Sequence, residues 1–198
     1  SLADKDCDVI LVEKEPFVGG RVSQWDSLST TTETGKEIIT RLANELKKRT
    51  NITILTNAEV ISTKGSVGDI TLQIKHTPRF IGKELCQNEL EKAIEVCPVE
   101  VSDEFKFHLT RRKAIYKNYP SRFPQVPVID SKNCIRCGAC EKVCSAIDFS
   151  EKEEILEFSV GSVLMATGFD PYTPAEGEFG YATSENIITL PQFKSLID

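Results

Sequence analysis

The run Asn133-Cys134-Ile135-Arg136-Cys137-Gly138-Ala139-Cys140-Glu141-Lys142-Val143-Cys144 constrains this chain more than any other feature. Its spacing is C-x2-C-x2-C-x3-C. Thiols at i, i+3 and i+6 of one loop can wrap three corners of an iron-sulfur cube, and the ferredoxin form of the motif takes its fourth corner from elsewhere. Gly138 lets the backbone approach the inorganic sulfides. A structural zinc site is the alternative, but zinc knuckles usually pair two well-separated C-x2-C units and often use histidine. His76 and His108 do not offer that spacing.

In two-cluster ferredoxins the last cysteine of one motif ligates the other cluster and is followed by proline. Here Cys97 carries the proline, as Cys97-Pro98, whereas Cys144 is followed by Ser145. Counting back from Cys97 with the same spacing reaches Gln87, Leu90 and Ala93, none of them a thiol, so a second cluster has no ligands in the usual places. The expectation is one 4Fe-4S cluster on Cys134, Cys137, Cys140 and the remote Cys97, with Cys144 a buried free thiol. The alternative takes Cys144 as the fourth ligand and leaves Cys97 a structural remnant. Cys7 and Cys86 read as ordinary small apolar residues.

Seven cysteines in 198 residues, four of them crowded together, do not make a secreted disulfide framework. Metal ligation in a reducing, cytoplasmic compartment is the expected reading. No apolar run approaches bilayer-crossing length, and the first residues lack a basic-then-apolar signal layout. With 24 Lys+Arg against 30 Asp+Glu, a binder that works by neutralising nucleic-acid phosphates is excluded. One local exception is Lys106 to Arg122, where Lys106, Arg111, Arg112, Lys113, Lys117 and Arg122 occur with no acid among them. This run reads as a solvated face or as a dock for an acidic redox partner. The only methionine is Met165, so the chain is expected to be a piece of a longer protein.

Strand patterns flank the cysteine-bearing middle. Asp8-Val9-Ile10-Leu11-Val12-Glu13-Lys14 reads as a buried parallel strand. Lys36 to Arg49 has helical spacing in Ile38, Ile39, Leu42 and Leu46, and Asn51 to Thr56 is a further strand. Val60 to Thr63 and Ile70 to Lys75 look like an antiparallel pair, and Glu89 to Val96 looks helical. Prolines 120, 124 and 127 predict extended coil over 118–130, and Ile155 to Phe158 and Val160 to Ala166 return to strand. The simplest architecture is an α/β domain of residues 1–77 and 155–198 interrupted by an inserted module, residues 78–154.

A strand ending in an acid, as Ile10-Leu11-Val12-Glu13 does, is what a second Rossmann strand needs to bond adenosine ribose hydroxyls. Gly19-Gly20-Arg21 suits passage beside a pyrophosphate, with Arg21 offering charge-assisted bonds. A G-x-G-x-x-G turn should precede Glu13 by about 20 residues, and the sequence has no room for one there. Val163-Leu164-Met165-Ala166-Thr167-Gly168 fits the strand end that closes flavoprotein domains. Each feature alone also fits a bland turn.

Taken in order, Glu13 to Arg21, Cys97 to Phe105, Arg112-Lys113-Ala114-Ile115-Tyr116, the Cys134 to Cys144 motif and Ala166 to Tyr172 resemble the A-type component of heterodisulfide reductases. The resemblance covers nearly the whole chain. It implies an FAD- and iron-sulfur-containing electron-transfer subunit: a ferredoxin-like α+β module inserted in a partial Rossmann-like flavin domain of the thioredoxin-reductase type. It also implies work in a complex, passing electrons to partner subunits that handle disulfides or related sulfur compounds. The expected cofactor-contact set is Glu13, Lys14, Gly19, Gly20, Arg21, Val60, Thr167 and Gly168. Backbone amides near Gly138 and the cation of Arg136 are expected to stabilise a reduced cluster. Ser27 to Thr34 lacks the cysteines many members carry there and the first ferredoxin motif has lost its ligands; against the resemblance, both suggest a shortened relay as in variants associated with sulfur oxidation, with the methanogenic type as the alternative. The reading of a different class is a structural or partner-binding adaptor whose metal centre only holds the fold.

Overall fold

The computed structural model describes residues 2–5, 7–27, 32–82, 87–117, 119 and 122–197. The first apolar run forms β1 (Val9–Val12), and helix α1 (Gly35–Lys47) carries the chain to β2 (Ile52–Leu55). β1 and β2 pair in parallel with Val9 opposite Ile52 and Val12 opposite Leu55, so α1 is a crossover helix. The helix starts where its sequence says it should. Thr34 accepts from Glu37 N at 3.1 Å while the Glu37 carboxylate accepts from Thr34 N at 2.7 Å, a closed capping box. Ile39 and Ala43 are the buried stripe. Gly35 is fixed by crowding, because a Cβ there would lie 2.1 Å from the Val22 carbonyl oxygen and 2.3 Å from that of Trp25.

β3 (Ala58–Ser66) and β4 (Asp69–His76) form the expected hairpin, with a register shift between Val60 and Ser62. Gly65 at φ 103° is pinned in the turn, since a Cβ there would approach the Asp69 carbonyl oxygen to 2.1 Å.

The chain then leaves for the cysteine-bearing part: α2 (Gln87–Glu95), β5 (Glu100–Ser102), β6 (Arg111–Lys113), β7 (Ile115–Tyr116) and β8 (Val128–Ile129). β5 pairs with β6 and β7 with β8, both antiparallel. The described residues between β7 and β8 are coil apart from a bridge of Phe123 to Val18, and the hairpin at 100–113 has no warning in the hydrophobic pattern. β9 (Glu154–Val160) comes back to the far edge of β4, with Ile70 opposite Val160 and His76 opposite Glu154. The sheet order β3-β4-β9 makes residues 77–153 an excursion between two neighbouring strands. α3 (Leu190–Ile197) ends the described chain.

Two hydrophobic cores result. Ala58, Leu72 and Ile74 pack with Val12, Leu55, Leu156 and Phe158 on one side. Phe80, Leu90, Ala93, Ile115, Ile129 and Ile147 form the other, with Cys97, Cys140 and Cys144 among them.

Two expectations need correction. Residues 161–166 are not a strand: β9 stops at Val160, and Leu164 and Met165 are 79% and 77% exposed. No described strand lies beside them to satisfy their backbone, and apolar character alone does not make a strand. Cys7 is not a small apolar core residue but exposed, its thiol 3.5 Å from the Lys5 carbonyl. Cys86 lies outside the described residues.

Ile74 has no exposed surface and sits on the central strand of its sheet. Ile74→Ala should cost about 2–5 kcal/mol in denaturant unfolding. Val67→Ala, at a position 87% exposed, should stay within about 0.5 kcal/mol.

Candidate cofactor sites

The cysteine motif is held by its flanks. Asp130 accepts from Arg112 at 3.0 Å and from the Asn133 side chain at 2.9 Å, and its carbonyl takes the Cys134 N–H at 2.8 Å. Burial would raise the Asp130 carboxyl, but the bonds from Asn133 and Arg112 outweigh it and leave the pKa below its ordinary value. The loop then passes through Arg136 at φ 51° and Gly138 at φ 72°. The left-handed backbone at Arg136 turns its N–H onto the Cys134 sulfur at 3.4 Å. The Arg136 guanidinium lies over the Phe80 ring, 5.5 Å from its centroid. The amide therefore supplies the polar contact to a cysteine sulfur, and the side chain is taken up by an aromatic face.

From Cys140 the backbone coils, with the N–H groups of Val143 and Cys144 both on the Cys140 carbonyl. This carries Cys144 into the core, 1% exposed. Cys97 arrives from the other direction, just beyond α2, its N–H on the Ile94 carbonyl. A small recess of about 10 Å³ is lined by Cys97, Cys134, Cys137 and Cys140, and Cys144 does not line it. Its apolar walls include Val99, Ile115, Ile129 and Phe149. All six described cysteines are free thiols. Burial raises the Cys140 thiol pKa, and neighbouring Cys134 and Cys97 push the same way. Among the described residues no three His, Cys, Asp or Glu side chains are grouped as ligands of a single metal ion. Cys97, Cys134, Cys137 and Cys140 border one recess, and the Cys97 thiol lies 3.8 Å from the Val99 carbonyl.

The candidate dinucleotide residues start at the end of β1. The Glu13 backbone continues the parallel pairing, bonding the Leu55 carbonyl at 2.8 Å and accepting from Ala58 N at 3.0 Å. Its half-buried carboxylate accepts from Glu15 N at 2.9 Å. Burial raises the Glu13 pKa and the charge of Glu15 adds to it, against the lowering from backbone bonds. Lys14 is exposed and pairs with Glu59 at 3.2 Å.

Gly19 at φ 126° permits the following turn. A Cβ there would come within 2.9 Å of Ile39 Cδ1 and 3.1 Å of the Tyr119 hydroxyl. That hydroxyl donates to the Val18 carbonyl at 2.8 Å. Arg21 reaches across the sequence to Asp170 at 2.6 Å, drawing the Gly19-Gly20 loop and the Thr167-Gly168 segment together. Thr167 and Gly168 are exposed, with Gly168 at φ 69°. Val60 is 41% exposed on β3, at the register shift against β4.

Sequence reasoning overlooked three residues here. Asp170 could have been suspected as the acid two positions past Gly168. Tyr119 had no signal. Nor did Arg79, whose guanidinium donates to the carbonyls of Pro16, Val126 and Pro127 and to Thr56 Oγ1 at 2.6 to 3.2 Å, and stacks 5.0 Å above Phe17. Burial pulls its pKa down to about 10.

The basic run is largely neutralised within the chain. Arg112 pairs with Glu104 and Asp130, Arg111 and Lys113 with Glu100, and Lys117 with Glu91. Glu100 serves two of these cations, and the run keeps a net positive charge.

Residues 125–146 match the family of 4Fe-4S binding domains. Curated relatives match the entire chain. The A-type iron-sulfur component of the CoB–CoM heterodisulfide reductase from Methanocaldococcus jannaschii is 34% identical, and a corresponding A-type component from Methanopyrus kandleri is 42% identical. The A-type component of the H2:CoB–CoM heterodisulfide, ferredoxin reductase of Methanothermobacter marburgensis is 34% identical. Each alignment covers 100% of this chain and 30% of the relative, so the chain spans about a third of their length.

A carboxyl whose pKa is raised in the native state favours folding below its ordinary value near 4.5, and that contribution is lost as pH rises through the native pKa. Glu13→Gln keeps the acceptor for Glu15 N and removes the charge. The variant should melt higher than the parent at pH 7, and the gap should close below about pH 4.5.

Proposed function

We propose that this chain, related over its whole length to the A-type components of heterodisulfide reductases, is part of an oxidoreductase subunit that passes electrons between FAD and a single 4Fe-4S cluster. It would do so within a complex of further subunits, in the cytoplasm. No described helix is long and apolar enough to cross a membrane. The carrying observation is the recess that Cys97, Cys134, Cys137 and Cys140 line together. These four are the proposed ligands, and Cys144 is a packing thiol.

When bound, the cluster exchanges single electrons and the flavin accepts or releases them in pairs. The protein's own part is positional and electrostatic. The apolar walls at Val99, Ile115, Ile129 and Phe149 limit water, and the Arg136 N–H bonded to the Cys134 sulfur stabilises negative charge on that thiolate. On the flavin side, Glu13 would take the ribose hydroxyls, with Lys14 and Val60 flanking it. Gly19, Gly20 and Arg21 would border the pyrophosphate, and Thr167 and Gly168 the flavin. The Arg21–Asp170 pair supports this reading, because it brings loops from both ends of the sequence to one place.

In this reading residues 1–77 and 155–198 form the Rossmann-like flavin part, built on β1, α1 and β2, and residues 78–154 the ferredoxin-like insertion. The return of β9 to β4 supports the division.

Anaerobic reconstitution with ferrous iron and sulfide tests the ligand set. The parent should take up iron and sulfide in equal amounts and turn brown, with the colour bleached reversibly by dithionite. Cys97→Ala should lose the four-iron signal while Cys144→Ala keeps it. The reverse pattern would overturn the assignment, and a colourless, zinc-loaded protein would favour the adaptor.

A further inference from the structure

We infer that Arg112 is a positioning residue for the Cys134 thiol. It fixes Asp130, Asp130 fixes the turn that leads into the cysteine motif, and the corner of the cluster that Cys134 would hold depends on that turn. This role deepens the cluster-binding reading and rests on it. It also gives a task to the run Arg112-Lys113-Ala114-Ile115-Tyr116, whose charged end the proposed electron transfer does not use.

One residue closes the turn. The Asp130 carboxylate accepts from Lys132 N at 3.1 Å, from Asn133 N at 3.3 Å and from the Asn133 side-chain amide at 2.9 Å, and its carbonyl accepts from Cys134 N at 2.8 Å. Residues 130–134 belong to no helix or strand. An aspartate that bonds the backbone two and three residues on takes the place of such an element and sets the path of the chain. If the carboxylate swung away, the segment that delivers Cys134 would lose its side-chain acceptors together.

The run at 112–116 holds Asp130 at both ends. The Ala114 carbonyl accepts from Asp130 N at 2.7 Å, and Arg112 Nη2 donates to the Asp130 carboxylate at 3.0 Å. The guanidinium is itself held on every side. Its Nε and Nη2 donate to Glu104 at 3.2 and 2.8 Å, its Nη1 to the Lys113 carbonyl at 3.4 Å, and its Cζ lies 3.9 Å from the Tyr116 ring centroid. The Arg112 and Asp130 side chains are only 11% and 10% exposed, so losing one partner strands the other away from water. Lysine, a point charge on a flexible stem, reproduces neither the fork nor the stacking.

Two of the other proposed ligands are held differently. Cys140 begins a coil in which the N–H groups of Val143 and Cys144 meet its carbonyl, and Cys97 follows α2 with its N–H on the Ile94 carbonyl. Breaking the Arg112–Asp130 bond should therefore loosen Cys134 and leave Cys97 and Cys140 in place.

The test uses the full-length protein and reads each cysteine separately. Cluster-free protein is treated with limiting iodoacetamide, and alkylation is followed by peptide mass spectrometry with the exposed Cys7 as internal reference. In Arg112→Lys, Cys134 should react about tenfold faster than in the parent, while Cys97 and Cys140 keep the parent's rates. Asp130→Asn, which keeps the backbone bonds and removes the ion pair, should open the same cysteine, and it decides the matter if Arg112→Lys does not fold. After reconstitution with iron and sulfide, both variants should yield a three-iron EPR signal under ferricyanide faster than the parent. There the oxidant takes one electron from the 4Fe-4S centre, which then releases a ferrous ion.

A folded Arg112→Lys that matches the parent at Cys134 overturns the inference, because charge alone would then suffice. Equal acceleration at Cys97, Cys134 and Cys140 overturns it as well, since that is a general loosening of the fold. Selective opening of Cys134 in a protein that takes up no four-iron cluster would keep the positioning role and discard the cluster reading. A stable cluster in the parent with no selective effect in either variant would do the opposite.

Discussion

A half-buried guanidinium with no described carboxylate partner joins segments on either side of the cysteine-bearing excursion. Arg79 leaves the sheet just after β4 and bonds carbonyls on both sides of the division: Pro16 in the loop below β1, and Val126 and Pro127 in the strand-flanking coil of the cysteine part. Burying a cation without a counter-ion is costly unless every donor is met. Four hydrogen bonds and the face of Phe17 meet most of them, and at a pKa of about 10 the group remains charged at neutral pH. Its own carbonyl takes the N–H of Ile129, a wall of the recess. One residue thus relates the loop that leads to Gly19 and the strand that bounds the thiols.

The recess follows from two opposite ways of ending a helical turn. After Cys140 the backbone coils on, so the next cysteine rotates away from the opening and is packed among Leu90, Ala93 and Ile147. After α2, the Cys97-Pro98 sequence stops the coil, because proline cannot supply the next N–H, and the thiol lies 3.8 Å from the carbonyl of Val99 on the recess wall. A difference of local backbone, not of residue type, separates a lining thiol from a packing one.

Much of this was legible in residues. The apolar positions of α1 are local, and local rules placed that helix to within two residues. The hairpin of β3 and β4 and the convergence of Cys97 on the motif were likewise written in spacing. What escaped was set by distant partners. Val160 to Ala166 has strand composition throughout, yet only the part that meets β4 is a strand. The basic run looked like an open electrostatic face because its counter-charges, Glu91, Glu100 and Asp130, lie elsewhere in the sequence. Arg21 was read as a phosphate ligand, and its bond to Asp170 spans 149 residues, beyond any pattern. Of the proposed Rossmann-like part the structure holds one two-strand parallel pair, β1 and β2.

The placement of β4 between β3 and β9 also orders events in time. β3 and β4 are joined by a tight turn and can zip together as soon as they are made. β9 is separated from its neighbour by the whole cysteine-bearing excursion, and closing so long a loop is entropically expensive unless the excursion is already compact. On the ribosome, β4 therefore presents a bare edge until residues 154–160 have emerged. A compact cysteine-bearing excursion would shorten that loop, so whatever orders residues 77–153 also eases completion of a sheet that contains no cysteine.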